Sequence, residues 1–262
     1  MSTAIPFSPA LSAVSSGWLL EVVAETDSTN RLAARLPAWH AVRADVQTAG
    51  RGRTGRHWVS DAGGLWLSAV LPCPGPRAAW SLLPLAAGHA VATALADLGV
   101  STLRLRWPND LLHGRSKLAG LLVERHTADT AVVGIGLNVT NHPERDTSLR
   151  TPSARLADLL PPGAPVPSLD DLAGLVLRAL ARAHAALLAG DFPRIAAELN
   201  ASWGPPRLVA LDLAGAHGAP AATVTGLFTG IDERGRLLLR APNRALASYD
   251  PAQVALLREL EG

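Results

Sequence analysis

The sequence predicts an α+β fold, with a main domain of strands and helices followed by a small β-barrel. Three observations predict it. Strand-like and helix-like segments follow one another as far as residue 203. Gly204-Pro205-Pro206 then breaks the helical pattern, and only short strands and turns follow. We therefore expect a flexible segment over 1–17, a main domain over 18–203 and a C-terminal barrel over 204–262.

Each element of the main domain follows from a local pattern. Apolar runs bounded by turn residues predict strands at 18–24, 42–47, 64–71, 103–107, 118–124 and 131–139. Apolar residues at helical spacing predict helices at 29–36, 78–98, 156–160, 170–188 and 191–202. Asp27 or Ser28 is placed to cap the first helix.

The C-terminal part shows strand-length apolar segments without helical spacing. The predicted strands lie at 208–211, 222–228, 237–239 and 245–249. Residues 230–235 have the composition of a hairpin turn. This pattern is typical of a small barrel.

Composition excludes several classes of protein. With 262 residues and 48% hydrophobic content, the chain can bury a sizeable core. It contains no apolar run long enough for a transmembrane helix and no signal-peptide pattern, so a cytoplasmic location is expected. Cys73 is the one cysteine, which excludes an internal disulfide. A net charge of +2 is too small for a general nucleic-acid binder.

Lysine use in this chain is unusual. Of its 24 lysine and arginine residues, Lys117 alone is lysine. An ammonium is a compact point charge on a flexible stem, whereas a guanidinium is a planar fork. In so arginine-rich a chain, a single lysine indicates a position that requires an ammonium. The alternative is a surface lysine without a role.

The densest functional signal is segment 47–58, Gln-Thr-Ala-Gly-Arg-Gly-Arg-Thr-Gly-Arg-His-Trp. Its glycines let backbone amides turn toward one point, and its arginines supply planar donors for phosphate or carboxylate. No Gly-Lys-Ser/Thr follows, so it is not a P-loop. The segment predicts a loop that binds a phosphate or an anhydride. The alternatives are a basic loop without a ligand and one that contacts nucleic acid.

A second signal is the run Arg-Trp-Pro-Asn-Asp at 106–110, followed by Lys117. Pro108 is expected to end the preceding strand and to direct Asn109 and Asp110 out of it. Asp110 and Lys117 would then bracket one reaction centre. The carboxylate would accept a proton from an attacking amine or hold magnesium, and the ammonium would stabilise charge on an oxygen. A surface salt bridge is the alternative.

Two weaker signals complete the set. Gly134 and Gly136 alternate on a predicted strand and leave bare backbone on one face, for a ligand or for close packing of another segment. The hydroxyl-rich run at 25–30 stands at the start of a helix. Its hydroxyls either cap the helix or bind a polar ligand there.

In this order, these segments resemble the motifs of the biotin protein ligases. The resemblance rests on the runs at 27–30, 47–55, 107–110, 117–120 and 134–138. It implies a mixed-sheet catalytic domain of the biotin/lipoate ligase type with a small SH3-like C-terminal barrel. It also implies a reaction in which biotin and MgATP form biotinyl-5′-AMP and pyrophosphate. A lysine of the biotin carboxyl carrier domain of an acyl-CoA carboxylase then attacks the mixed anhydride.

The resemblance further implies roles for individual residues. The catalytic residues would be Lys117, Asp110 and Arg53. Contacts to biotin would come from Ser28, Thr29, Asn30, Gln47, Gly50, Arg51, Gly52, Arg53, Lys117, Gly120, Gly134 and Gly136. Contacts to the nucleotide would come from Arg53, Trp58, Asn109, Lys117 and Asn138. ATP and Mg²⁺ are the implied cofactors, with no fixed metal site and with Asp110 as the one candidate ligand.

The chain also departs from the family pattern. About 17 residues precede the first predicted strand, too few for a winged-helix domain, so we expect the non-regulatory type that does not bind DNA. Arg106 stands where lysine is also common, and Thr54 and Arg56 receive no role. Arg258 is the candidate for an adenine contact from the barrel. No membrane association is expected, and the chain is expected to be a monomer or a weak homodimer.

Two alternatives stay open at this stage. A lipoate or octanoate ligase or transferase has a similar main domain, although the Gly/Arg loop and the C-terminal barrel favour biotin. A basic nucleic-acid-binding module would use the same loop, but the small net charge argues against it.

Overall fold

The computed structural model describes residues 11–14, 17–75, 80–143, 152–215, 220–242 and 244–260. It confirms the α+β class, with a mixed sheet and helices followed by an antiparallel sheet. The predicted flexible segment falls outside the described residues at 1–10 and 15–16. Residues 11–14 form a strand that the sequence pattern did not predict.

The main sheet has eight strands. They are β1 (Leu11–Val14), β2 (Trp18–Thr26), β3 (His40–Gln47), β4 (Leu65–Pro72), β5 (Leu103–Arg106), β6 (Asp110–His113), β7 (Ser116–Glu124) and β8 (Thr130–Leu137). Their order is β1-β2-β3-β4-β8-β7-β6-β5. The β2–β3 pair is parallel and every other neighbouring pair is antiparallel, so the sheet is mixed.

Among the described residues, four α-helices accompany this sheet: α1 (Thr29–Ala33), α2 (Leu83–Ala96), α3 (Leu169–Leu188) and α4 (Phe192–Ser202). Helix α1 connects the parallel strands β2 and β3. Helices α2 and α3 contact each other and the sheet, and bury their apolar faces in one large core. The Ser168 hydroxyl caps α3 by accepting a hydrogen bond from the Asp171 amide at 3.1 Å. The helix predicted at 156–160 is a 3₁₀ turn at Leu156–Asp158.

Two predictions for the first part of the chain are wrong in detail. Helix α1 begins at Thr29 as expected, but it ends at Ala33 and no side chain caps it. The Asp27 carboxylate instead accepts the Ser28 amide at 2.6 Å and pairs with Arg31. The Thr29 hydroxyl donates to the Gln47 side-chain oxygen at 3.0 Å.

The C-terminal part is a five-stranded antiparallel sheet. Its strands are β9 (Arg207–Ala214), β10 (Pro220–Ile231), β11 (Leu237–Arg240), β12 (Leu246–Tyr249) and β13 (Val254–Glu259), in the order β12-β11-β10-β9-β13. Strand β13 was not predicted. Its position at an edge of the sheet places it next to the main domain.

The two sheets share one hydrophobic core. Trp203, just after α4, meets the Phe228 ring edge-on with centroids 5.0 Å apart. The Trp107 indole donates to the Gly235 carbonyl at 3.0 Å. Arg104 and Arg207 both pair with Glu259 at the end of β13. These contacts fix β13 opposite the β5–β6 hairpin and form one wall of a cleft.

Within the described part of the chain, none of the helices has the length and apolar character that crossing a membrane requires.

Candidate active site

A cleft of about 810 Å³ opens between one face of the main sheet and strand β13. Its walls are the Gly/Arg loop, the β5–β6 hairpin, the centres of β7 and β8, and residues 254–260. It brings together nearly all the residues singled out by sequence: Ser28, Thr29, Asn30, Gln47, Arg51, Gly52, Arg53, Trp58, Asn109, Asp110, Lys117, Gly120, Gly134, Gly136 and Asn138.

Gly50 is the exception, because it lies beneath the loop and does not line the cleft. A Cβ there would come within 2.5 Å of the Ser60 hydroxyl and overlap the Trp58 carbonyl. The Gly50 carbonyl accepts the Trp58 amide at 2.9 Å. Glycine is required here for close packing at the base of the loop.

One end of the cleft is polar and pre-ordered. The Gln47 side-chain oxygen accepts the Thr29 amide at 2.8 Å, and its NH₂ donates to Ser60 at 2.8 Å. The Ser68 hydroxyl lies 2.7 Å from the Thr29 hydroxyl and 2.6 Å from the Asn30 side-chain oxygen. The tips of β3 and α1 are thus held as a single hydrogen-bonded unit.

Glu124, at the end of β7, connects this polar end to the Gly/Arg loop. One carboxylate oxygen of Glu124 accepts a hydrogen bond from the side-chain amide of Asn30 at 2.7 Å, and the other pairs with the Arg51 guanidinium at 3.2 Å. Sequence reasoning missed both Glu124 and Ser68. Ser68 carried a signal, because it is a lone polar residue in the buried apolar strand β4.

The glycines of β7 and β8 make room for two side chains. Gly120 and Gly136 are paired across the strands, and the Trp58 ring lies against both. A Cβ on Gly120 would approach the ring to 2.9 Å, and one on Gly136 would overlap it. Gly134 similarly accommodates Asn30. Of the two readings left open for the glycines, close packing of another segment is the one seen in this structure.

Lys117, Asp110 and Arg106 form the charged centre of the cleft. The Asp110 carboxylate binds the Lys117 ammonium at 2.7 Å through one oxygen and the Arg106 guanidinium at 2.6 Å through the other. Burial raises the pKa of Asp110, but the two cations outweigh burial and hold that pKa below its usual value. Asp110 is therefore an ionised acceptor at neutral pH.

The local structure around Asp110 differs from the sequence prediction. Asp110 does not project from a strand end, because it is the first residue of β6 and pairs with Arg106 across the β5–β6 hairpin. The Trp107–Pro108 peptide bond within this hairpin is cis. Sequence reasoning missed Arg106 as the second partner of Asp110.

The Gly/Arg loop is attached to the C-terminal sheet. Arg53 donates to the carbonyls of Pro251 at 2.6 Å and Val254 at 3.1 Å. Arg56 donates to the Ala255 carbonyl at 3.0 Å. Burial lowers the pKa of Arg53 and the nearby Asp110 carboxylate opposes that shift, but a guanidinium stays charged at neutral pH. Strand β13 therefore holds the loop beside the charged centre.

Two asparagines support the cleft from below. The side-chain amide of Asn138 donates to the backbone carbonyls of Lys117 at 3.3 Å and Ala154 at 3.2 Å. The Asn109 amide donates to the Leu121 carbonyl at 2.7 Å. In this structure both side chains position the backbone around Lys117.

Basic residues dominate the lining. Seven cationic side chains face two carboxylates: Lys117 and Arg51, Arg53, Arg56, Arg106, Arg115 and Arg258 against Asp110 and Glu259. Arg258 also pairs with Asp212 at 2.7 Å. Within the described part of the chain, two buried polar atoms of the lining, the Trp58 indole nitrogen and the Ser153 hydroxyl oxygen, have no hydrogen-bond partner. The cleft suits a polyanionic ligand with additional hydrogen-bonding groups.

Both parts of the chain match models of known protein families. Residues 21–139 match the biotin/lipoate A/B protein ligase family, and residues 218–255 match the biotin protein ligase C-terminal domain. The chain is 36% identical to the biotin–[acetyl-CoA-carboxylase] ligase of Mycobacterium tuberculosis over 88% of this chain and 87% of that protein. It is 34% identical to the enzyme of the same name from Paracoccus denitrificans, over 84% and 94% respectively.

A solved structure shares both parts of the fold. A point mutant of the biotin protein ligase of Aquifex aeolicus, in complex with biotin, superposes with a TM-score of 0.74 and 26% identity. The match covers 91% of this chain and 97% of that one.

Proposed function

This chain belongs to the biotin protein ligase family, and we propose that its cleft attaches biotin to a carrier protein in two steps, the first of which consumes ATP. In the first step, a biotin carboxylate oxygen attacks the α-phosphorus of ATP, and pyrophosphate leaves. In the second step, a lysine amine of a biotin carboxyl carrier domain attacks the carbonyl of biotinyl-5′-AMP. AMP leaves and an amide forms.

The observation that carries the proposal is the charged centre at the middle of the cleft. Both reactants of the first step are anionic, so their approach requires cations at the point of contact. Lys117 and Arg106 supply two cations against one carboxylate, that of Asp110. The remaining positive charge is available to the biotin carboxylate and the α-phosphate.

The polar end of the cleft suits the ureido head of biotin. A ureido group has two N–H donors and one carbonyl acceptor, and the hydroxyl groups and amides of Ser28, Thr29 and Gln47 offer the complementary set. The neighbouring walls include Leu122 and Ile135, which provide apolar contact for the rings. We assign Asn30, Arg51, Gly134 and Gly136 to the same end, where Glu124 holds Arg51 in place.

The nucleotide is assigned to the side of the cleft near β13. Arg53, Trp58, Asn109 and Asn138 all line the cleft, and Arg53 reaches the Val254 carbonyl at the start of β13. Among the described residues, the Trp58 indole nitrogen has no hydrogen-bond partner. Arg53 connects the Gly/Arg loop to the C-terminal sheet. Its positive charge is therefore held at the cleft and can act on the nucleotide phosphates without a large movement of the loop.

Asp110 serves the second step by orienting the incoming amine. A carboxylate with a lowered pKa is a weak base but a strong hydrogen-bond acceptor. Since the amine must displace Lys117 or Arg106 from one oxygen, Asp110 selects the position of attack.

Magnesium is expected to arrive with the ATP phosphates. Both Asp110 oxygens are bound to cations, and the described residues contain no cluster of three histidine, cysteine or acidic side chains that would hold a metal. These residues do not form a protein-held magnesium site, so no residue is assigned to the metal.

The experiment that tests this proposal is ATP–pyrophosphate exchange with biotin, lipoate and octanoate as parallel substrates. Exchange with biotin alone is the expected result. Exchange driven by lipoate or octanoate would assign the chain to the related acyl ligases, and absence of exchange with all three would refute the adenylation step.

A further inference from the structure

Exposed apolar side chains are concentrated on one face of the C-terminal sheet. The described residues include seven exposed large apolar side chains; three of them belong to this sheet, and a fourth directly follows its strand β13. These four are Leu208, Leu227, Leu246 and Leu260, with exposed fractions of 37%, 39%, 59% and 39%. We call them the leucine stripe. Single exposed leucines are ordinary, but four on one face indicate a surface that is covered by a partner.

The four leucines lie in one row across the strands. Leu208 of β9 pairs with Leu227 of β10, Leu227 pairs with Arg240 of β11, and Arg240 pairs with Leu246 of β12. The Leu260 amide donates to the Leu208 carbonyl at 3.0 Å and extends the row past β13. Directly paired residues of antiparallel strands point to the same face, so the row forms a continuous surface.

This row leads to the cleft. Leu260 lines the cleft, whereas Leu246 stands on the opposite edge strand. Five strands at a spacing of about 4.8 Å place the two ends of the row roughly 20 Å apart. A protein domain seated on the stripe would therefore reach the mouth of the active site.

Positive charge lies within the stripe and beside it, because Arg240 stands in the row between Leu227 and Leu246. Arg240 and Arg244 line the groove over Leu227 and Leu246. Among the described residues, neither arginine is in ion-pair range of a carboxylate. The surface thus combines leucines with two guanidinium groups, which favours a partner whose contact surface is apolar and acidic.

We infer that the leucine stripe is the docking surface for the carrier domain that receives biotin. This inference rests on the proposed function, because that function requires a second protein to bring a lysine into the cleft. The row is small, as suits a transient encounter in which the product must leave.

The test measures the affinity for the carrier domain and the adenylation rate separately. We expect Leu227→Ser, Leu246→Ser and Arg240→Glu to weaken direct binding of the unbiotinylated carrier domain and to raise its KM about tenfold or more. Biotin-dependent ATP–pyrophosphate exchange should be unchanged. Leu188→Ser is the matched control, because Leu188 is 59% exposed, as is Leu246, but lies at the end of α3. It should alter neither quantity.

Two results would overturn the inference. The first is unchanged carrier binding and KM in all three variants. The second is a wild-type dimer in light scattering that becomes monomeric in Leu246→Ser while carrier KM stays constant, since the stripe would then join two copies. Failure of the proposed function is distinguishable, because it would appear as absent pyrophosphate exchange in the wild-type protein.

Discussion

The ammonium of Lys117 lies 2.7 Å from the carboxylate of Asp110, and it is the one lysine ammonium that the chain possesses. The same ammonium lies 4.7 Å from the centre of the Trp58 ring. Lys117 is thus held between the carboxylate assigned to the transfer step and the aromatic ring assigned to the nucleotide. A compact ammonium makes both contacts at once, whereas a guanidinium is a wider, planar group.

Replacing Lys117 by arginine is expected to slow adenylate formation by about 100-fold, the scale seen when one charge-stabilising donor is lost. The charge is conserved, but the wider head group would disturb the contacts with Asp110 and Trp58. The rate of biotin-dependent pyrophosphate exchange measures this effect. Arg178→Lys, a reverse change on the exposed face of α3, should leave the rate unchanged. A near-normal rate in Lys117→Arg would show that the lysine is incidental.

Replacing Asp110 by asparagine is expected to reduce stability in a pH-dependent way. The pKa of Asp110 is lower in the folded protein than in the unfolded chain, where it is about 3.9. Such a carboxylate stabilises the fold above that unfolded pKa, and the contribution is lost as the pH falls. Urea unfolding should therefore separate wild type from Asp110→Asn at pH 7, with a smaller difference below about pH 4. An equal difference at both pH values would contradict the ion-pair assignment.

Gly136→Ala is expected to destabilise the protein by about 1–3 kcal/mol, the usual cost of overpacking. The added methyl group would overlap the Trp58 indole. In a Trp58→Leu background the same change should cost less, because the ring that it displaces is gone. Urea unfolding of the wild type, the two single variants and the double variant gives the coupling free energy between positions 58 and 136. Strictly additive effects would show that Trp58 does not rest on Gly136 in solution.

The chain is expected to biotinylate itself very little. Biotinyl-5′-AMP that escapes a cleft acylates nearby amines, and this chain offers only its N-terminal amine and Lys117, whose ammonium is paired with Asp110. Intact mass spectrometry after incubation with biotin and ATP should show almost unmodified protein. Arg178→Lys, which adds one exposed amine, should gain a single biotin. Several added biotins on the wild-type protein would refute this expectation.

The composition of the candidate site could be predicted from sequence because its motifs are local. The Gly/Arg loop, Lys117 and the alternating glycines each carry their chemistry within a few residues, and all of them meet at one cleft. Gly50 shows the limit of this reasoning. Its place in the motif does not reveal whether the glycine contacts a ligand or packs against other parts of the protein, as it does here against Trp58 and Ser60.

The connections between these motifs could not be predicted in the same way. Arg106 reaches Asp110 through a hairpin, and Glu124 reaches Arg51 across the sheet, so both ion pairs depend on strand pairing. Strand β13 was missed because it follows a short turn without clear alternation, although its carbonyls hold Arg53. The predicted capping of α1 failed because the Asp27 carboxylate accepts the adjacent Ser28 amide and pairs with Arg31 instead.

The most direct test of the two-step mechanism follows the fate of the α-phosphate. The protein is incubated with biotin and ATP labelled at the α-phosphorus, and the carrier domain is then added. The mechanism predicts that labelled biotinyl-AMP accumulates on the enzyme and is converted to labelled AMP in step with biotinylation of the carrier. Biotinylation without a labelled adenylate, or an adenylate that the carrier does not consume, would contradict it.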